Sequence, residues 1–185
     1  PYQSRTIHQL YVRSERWAAR RCHKIVCVAD AMREQALAAG VGTHELFTTI
    51  YSGMDIDAFL HCRDDRDQLR ADLGLTTEDY VIGTVARLAE LKGHDDLLDS
   101  LGSFMGSNPR VKLLWVGDGY WRERLMKRVR SMGLQNQIVM TGRVQPERIP
   151  GLMHAMDLLV HPSWREGLPR TVPQALLCDT PVVAH

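Results

Sequence analysis

Cysteine is scarce in this chain, at four residues in 185. Cys22, Cys27, Cys62 and Cys178 show neither the paired C-x-x-C spacing of a zinc site nor the density of a disulfide scaffold, so they read as reduced, mostly buried thiols. The eight histidines are never four residues apart. No helix face therefore presents two imidazoles to an ion, and no metal site is expected. Apolar runs of about 18 residues are absent, which excludes a spanning helix, and no signal-peptide pattern opens the sequence. A soluble, cytoplasmic chain is expected. Charge of one sign is lacking as well: the formal net charge is +1, so no global field draws in nucleic acid. The local basicity of Arg5, Arg13, Arg16, Arg20, Arg21 and Lys24 reads as a solvated helix face. Aromatic residues contribute only 6%, beside 44% hydrophobic and 24% charged residues, a balance that describes one or two globular domains with a real core.

What is present is a regular alternation. Ile7, Leu10, Tyr11, Trp17 and Ala18 fall at helical spacing, which predicts a helix from about Arg5 to Cys22. "KIVCVA" reads as a buried strand, Asp30 as a cap for the helix that follows, and "LFTTIY" as a second strand. Between about Phe59 and Asp67 the composition turns polar, and the domain boundary is placed there. Beyond it the runs "YVIGTVA", "VKLLWVG", "QIVMTG", "DLLVH" and "PVVA" alternate with helical segments. Parallel neighbours need crossover connections, so this order predicts a doubly wound α/β domain with a parallel sheet. The chain starts on a helix whose apolar face needs partners and ends on a buried-type strand, which reads as an internal piece of a longer protein.

In open α/β sheets, ligands bind beyond the carboxyl ends of the strands. The loops to search are therefore "RLAELKG", "GDGYW", "GRVQP" and "PSWREGLPR". Arg87 and Lys92 share the first loop, where a planar fork and a point charge can meet a diphosphate from two directions; pairing with Glu90, Asp95 or Asp96 is the alternative. Gly117 and Asp118 belong to a "GDG" that serves equally as a simple turn, since no G-x-G-x-x-G is present. In the fourth loop, Gly167 opens backbone amides to close approach and Pro169 suits the first helical position. Glu166 would avoid a phosphate there and could accept hydrogen bonds from hydroxyls; a favourable charge at a helix start explains it equally. A helical stretch from Glu166 to Gln174 would span about 12 Å, enough for the two side chains to hold opposite ends of a nucleotide sugar.

Together "VCVADAMREQALAAGV", "IYSGMDIDAF", "VIGTVARLAELKGHDDLL", "LLWVGDGYWRERL", "GLQNQIVMTGRV" and "DLLVHPSWREGLPRTVPQALLCDTPVV" resemble the retaining glycosyltransferases of family 4, over roughly residues 24–185. The resemblance implies the GT-B arrangement of two Rossmann-like domains, with residues 1–58 as the tail of the acceptor-side domain plus the interdomain crossing. Residues 59–185 would be a carboxyl-terminal donor domain, incomplete at its end. Carried over by position, Arg87 and Lys92 neutralise the diphosphate, and Gly142, Arg143 and Val144 lie beside the nucleobase. Glu166 meets hydroxyls of the transferred sugar, while Gly167 and Leu168 offer amides to phosphate. Gln174 stands where the family usually has a glutamate bonded to ribose, and a neutral acceptor there is weaker than a charged one. The implied activity is transfer from a UDP-, GDP- or ADP-sugar to a glycan, lipid or other acceptor with retention of configuration, without metal or other cofactor. Polysaccharide biosynthesis and peripheral membrane association through the missing domain follow from the same resemblance, and the fragment alone is expected to bind donor without turnover. A GT-B sugar-nucleotide epimerase and a non-catalytic nucleotide-sugar-binding scaffold are the alternatives.

Overall fold

The computed structural model describes residues 4–62 and 64–185. The chain divides between Met54 and Asp55 into two compact units. The first contains α1 (Arg5–Ala19), β1 (Ile25–Cys27), α2 (Asp30–Ala38) and β2 (Phe47–Thr49), with β1 and β2 paired in parallel. Ser4 caps α1, its hydroxyl accepting from the Ile7 amide. Asp30 does not cap α2 as its side chain suggested. It is the first residue of that helix, and its carboxylate is occupied by the Thr49 and Tyr51 hydroxyls at 2.7 and 2.6 Å.

The second unit begins with two short helices, α3 (Asp57–Leu60) and α4 (Arg66–Asp72). It starts four residues before the boundary placed from composition, because Phe59 is buried in its core and the Phe59 carbonyl accepts from the Cys178 thiol. There follow β3 (Tyr80–Val85), α5 (His94–Ser107), β4 (Val111–Val116), α6 (Arg122–Ser131), β5 (Ile138–Gly142), α7 (Ile149–His154), β6 (Leu158–His161), α8 (Thr171–Leu177) and β7 (Val182–Ala184). The five strands form one parallel sheet in the order β5-β4-β3-β6-β7.

Successive side chains of a strand point to opposite faces, and here both faces are covered. Val81, Leu114, Val116 and Leu159 pack in a cluster with Leu152, Met153 and Met156 of α7 and its end, and with Ala175 of α8. Ile82, Leu113 and Trp115 pack in a second cluster with Leu97, Leu98 and Met105 of α5 and Leu125 and Val129 of α6. Trp115, Leu98, Leu113, Leu114, Leu125 and Leu159 have no exposed surface. Each such leucine contributes roughly 1.5–3 kcal/mol of transfer free energy.

The amino ends of the central strands are fastened by charge. Asp157, just ahead of β6, accepts from the Val81 amide at 2.7 Å, from Arg70 at 2.7 Å and from Arg66 at 2.5 Å. Arg70 is 3% exposed and spends its other donors on the carbonyls of Ala155 and Asp79. Burial pushes the Asp157 carboxyl up, but the Val81 amide and the two arginines outweigh it and hold it below its ordinary value. All four cysteines are free; Cys27 and Cys178 are buried, Cys62 is half-buried and Cys22 is exposed. Burial raises the Cys178 thiol to about 11, which leaves it an unreactive packing group. Among the described residues no helix is long and apolar enough to cross a membrane.

Candidate functional site

The strand order reverses between β3 and β6: the chain runs outward through β4 and β5, then returns to place β6 and β7 on the other side of β3. Loops leaving the carboxyl ends of two such strands diverge and open a crevice, the usual ligand position in a sheet of this kind. The loops after β3 and β6 are residues 86–93 and 162–170, and they carry Lys92 and Glu166.

These two loops are joined. Lys92 Nζ lies 2.5 Å from Glu166 Oε1, so neither Glu90, Asp95 nor Asp96 takes that lysine. Asp95 instead binds Arg124 and Arg128, and Asp96 accepts from the Trp164 indole at 2.7 Å. The Trp164 amide donates to the Leu91 carbonyl at 3.0 Å. Gly93 completes the junction with φ 69, and a Cβ there would lie 2.0 Å from the Pro162 carbonyl oxygen. Only glycine allows that approach. Gly93→Ala is therefore expected to lower stability by about 2 kcal/mol, from positive φ and displaced backbone together. Urea unfolding would measure it; an unchanged midpoint would mean that the two loops separate freely.

Beneath Glu166 sits a residue that the sequence pattern did not single out. His161 ends β6 and is 5% exposed, with Nε2 3.4 Å from Glu166 Oε1 and Nδ1 3.2 Å from the Thr171 hydroxyl. Burial lowers the His161 imidazole and Lys92 adds to this, while Glu166 opposes it; the net shift is downward, so the ring is neutral at pH 7. Burial raises Glu166, but the hydrogen bond from Lys92 and the charge of that lysine outweigh it, so the carboxylate stays ionised. The signal for His161 was available as a polar residue closing an apolar strand, where ligand-facing groups of α/β sheets fall.

The loops after β3, β4 and β5 line a cleft of about 550 Å³. Arg87, Gly117, Asp118, Arg143 and Val144 all line it, together with apolar Val85, Val116 and Ile149. Arg87 is exposed and has no ion pair among the described residues. Gly117, at φ 138, brings two of these loops together: a Cβ on it would meet the Ala86 carbonyl oxygen at 2.2 Å. Gly142 ends β5 beside Asp118 and Arg122, which pair at 3.2 Å, but does not itself line the cleft.

Gly167, Leu168, Pro169 and Gln174 are not among the residues lining that cleft. Pro169 was expected at the first turn of a helix, yet α8 begins at Thr171, and Pro173 is the proline within its first turn. A missing N–H costs nothing at either place, and residues 165–170 run through bends and a turn before the helix starts, with Trp164 tied to Leu91 of the β3 loop and Asp96 of α5. Glu166 to Gln174 is consequently not one helical stretch; only its last four residues are helical. Among the described residues no three His, Cys, Asp or Glu side chains are grouped closely enough to hold a metal ion.

Residues 65–185 match the family model described as "Glycosyl transferases group 1". The 2-deoxystreptamine glucosyltransferase of Streptomyces kanamyceticus is 31% identical over 180 residues, covering 96% of this chain and 46% of that protein. The 2-deoxystreptamine N-acetyl-D-glucosaminyltransferase of Streptomyces fradiae is 28% identical over 96% of this chain and 42% of its own length. The chain thus spans a little under half of these curated relatives. Among solved structures, Anabaena HepE in complex with UDP-glucose superposes with a TM-score of 0.83 at 31% identity, over 95% of this chain and 48% of that one. With the matched segment covering both loops of the crevice and all three of the cleft, the chain belongs to the glycosyl transferases group 1 family.

Proposed function

We propose that residues 59–185 bind the donor of a glycosyltransferase that moves a sugar from a nucleotide diphosphate to a glycan, lipid or other acceptor. The observation that carries this reading is the Lys92–Glu166 pair at the strand-order reversal, with Arg87 of the same β3 loop lining the adjacent cleft, which Lys92 and Glu166 do not line. In this reading Arg87 and Lys92 take the diphosphate, and preorganised cations stabilise the charge that builds on the departing nucleotide without calling for a metal. Glu166 accepts from sugar hydroxyls, and Gly167 and Leu168 offer amides to phosphate. Gly142, Arg143 and Val144 flank the base, Gly117 and Asp118 bound the same cleft, and Gln174 accepts one ribose hydroxyl. Residues 1–58 belong to the acceptor-side domain, and the acceptor attacks on the face the nucleotide leaves, so configuration is retained.

UDP is the nucleotide to expect first, because HepE, which shares 31% of aligned residues, binds it. A panel of UDP, GDP, ADP and CMP should separate by thermal stabilisation of the 185-residue chain. At ten times its Kd a ligand that binds only the folded state adds about 1.4 kcal/mol. For a chain of this size that is roughly 4 °C. Stabilisation by none of the four would sink the donor reading. In the whole protein, a product of inverted anomeric configuration would overturn retention alone.

A further inference from the structure

Of the buried side-chain polar atoms left without a hydrogen-bond partner, two, His161 Nε2 and Ser163 Oγ, belong to the end of β6 and the loop that carries Glu166, and His161 Nε2 faces the Glu166 carboxylate. His161 Nε2 has no hydrogen-bond partner although it is screened from solvent, and the oxygen nearest to its purpose, Glu166 Oε1, lies 3.4 Å away and is held by Lys92 at 2.5 Å. A buried donor left unmade is costly, and such a group calls for an explanation. The ring's tautomer follows from its two neighbours. With a carboxylate facing Nε2, a lone pair there would be repelled, so the proton sits on Nε2 and Nδ1 accepts from the Thr171 hydroxyl. The imidazole then aims an N–H at a carboxylate already engaged by a lysine.

Resting on the donor reading above, we propose that His161 is a positioning residue: it takes over Glu166 when the diphosphate draws Lys92 away, and so holds the carboxylate in place for the sugar. Glu166 would otherwise lose its 2.5 Å partner at the moment it must be oriented. It stands in a loop where it and the residues on either side of it, Arg165 and Gly167, are exposed and outside any helix or strand, so the chain itself does not fix its direction. His161 belongs to a strand of the sheet and is fixed by burial and by Thr171. Closing the gap from 3.4 Å to about 2.9 Å needs only a small turn of the Glu166 side chain. The exchange keeps the carboxylate hydrogen-bonded throughout, so diphosphate and Glu166 can share the crevice, the one paired with the Lys92 ammonium and the other held by the neutral His161 N–H. Sugar recognition is thereby separated from nucleotide recognition: Lys92 serves the nucleotide and His161 serves the residue that reads the sugar.

The test is calorimetric titration of the 185-residue chain and its variants with two probes, UDP and UDP-glucose. His161→Leu fills the same space without the N–H; it should weaken UDP-glucose about tenfold and UDP only about threefold, because the diphosphate of either probe draws Lys92 away but only the sugar needs Glu166 oriented. His161→Gln returns a donor near the position of Nε2 and should restore most of the loss. Thr171→Val removes the hydroxyl that fixes the tautomer and should give the same selective weakening, smaller in size; it carries the test with His161→Gln if the leucine variant does not fold. Equal weakening of both probes, no weakening of either, or a glutamine variant no better than leucine would each overturn the proposal and leave His161 as packing. Failure of the wild-type chain to bind UDP is a different result: it removes the donor reading itself, and the positioning role with it.

Discussion

Asp157→Ala is expected to cost the second unit about 3–5 kcal/mol, because it strands a buried guanidinium. Arg70 is 3% exposed and reaches Asp157 at 2.7 Å, while the Val81 amide loses its acceptor at the same distance. In a chain of this length the midpoint should fall by roughly 10 °C. Asp157→Asn is the informative companion, since an amide oxygen can still accept from Val81 but supplies no charge to Arg70 and Arg66, and its cost should fall between the two. The sign with pH follows from the carboxyl's depressed value. The carboxyl titrates below its ordinary 3.8 in the folded chain, so its contribution is complete above that pH and disappears as the pH falls through the lower, folded value. Wild type and Asp157→Ala should therefore differ by a constant amount near neutrality and converge in acid. A gap that stays constant down to pH 2 would show that the loss comes from the cavity and not from the charge. UDP affinity offers a second control: this network joins the amino ends of β3 and β6, and the variant should bind UDP normally at temperatures where it remains folded.

How far such particulars could be read in advance depended on distance along the chain. The strands were legible because each is a local run of apolar residues, and "VKLLWVG" became β4 with only its last residue, Gly117, left outside. Their order was not, because a strand buried on both faces carries no alternation that says which neighbour it meets. Glu166 and Lys92 were each legible as loop residues beyond a strand, yet their pairing spans 74 positions and depends on β3 and β6 being adjacent. The predicted start of α8 at Pro169 shows the opposite error. A local rule about proline was applied correctly, but Trp164 anchors the loop to Leu91 and Asp96 from the other side of the crevice and delays the helix to Thr171. His161 escaped for a related reason: as the last residue of an apolar run it looked like a strand boundary, and only the fold puts Glu166 above it.

Arg87→Ala combined with Lys92→Ala is expected to weaken UDP binding about 100-fold, provided the diphosphate lies between them. A charge-assisted hydrogen bond contributes about 1.5–3 kcal/mol. Two such bonds would exceed 100-fold if both were free gains. Arg87 meets that condition, being exposed with no ion pair among the described residues. Lys92 does not, because it must first leave Glu166, and the pair given up offsets part of what the phosphate returns. Lys92→Ala alone should therefore cost less than Arg87→Ala alone. The same reasoning makes Glu166→Gln raise UDP affinity a few-fold, an increase in binding on removing a residue of the site. Two causes could produce it, release of Lys92 or relief of repulsion between two anions, and a double-mutant cycle separates them. If release is the cause, Glu166→Gln gains nothing once Lys92 is alanine. If the gain survives in that background, the carboxylate acts on the nucleotide through space, and the lysine is not held in reserve by it. Indistinguishable UDP affinities for wild type and the Arg87, Lys92 double variant would remove the diphosphate from this edge of the sheet altogether.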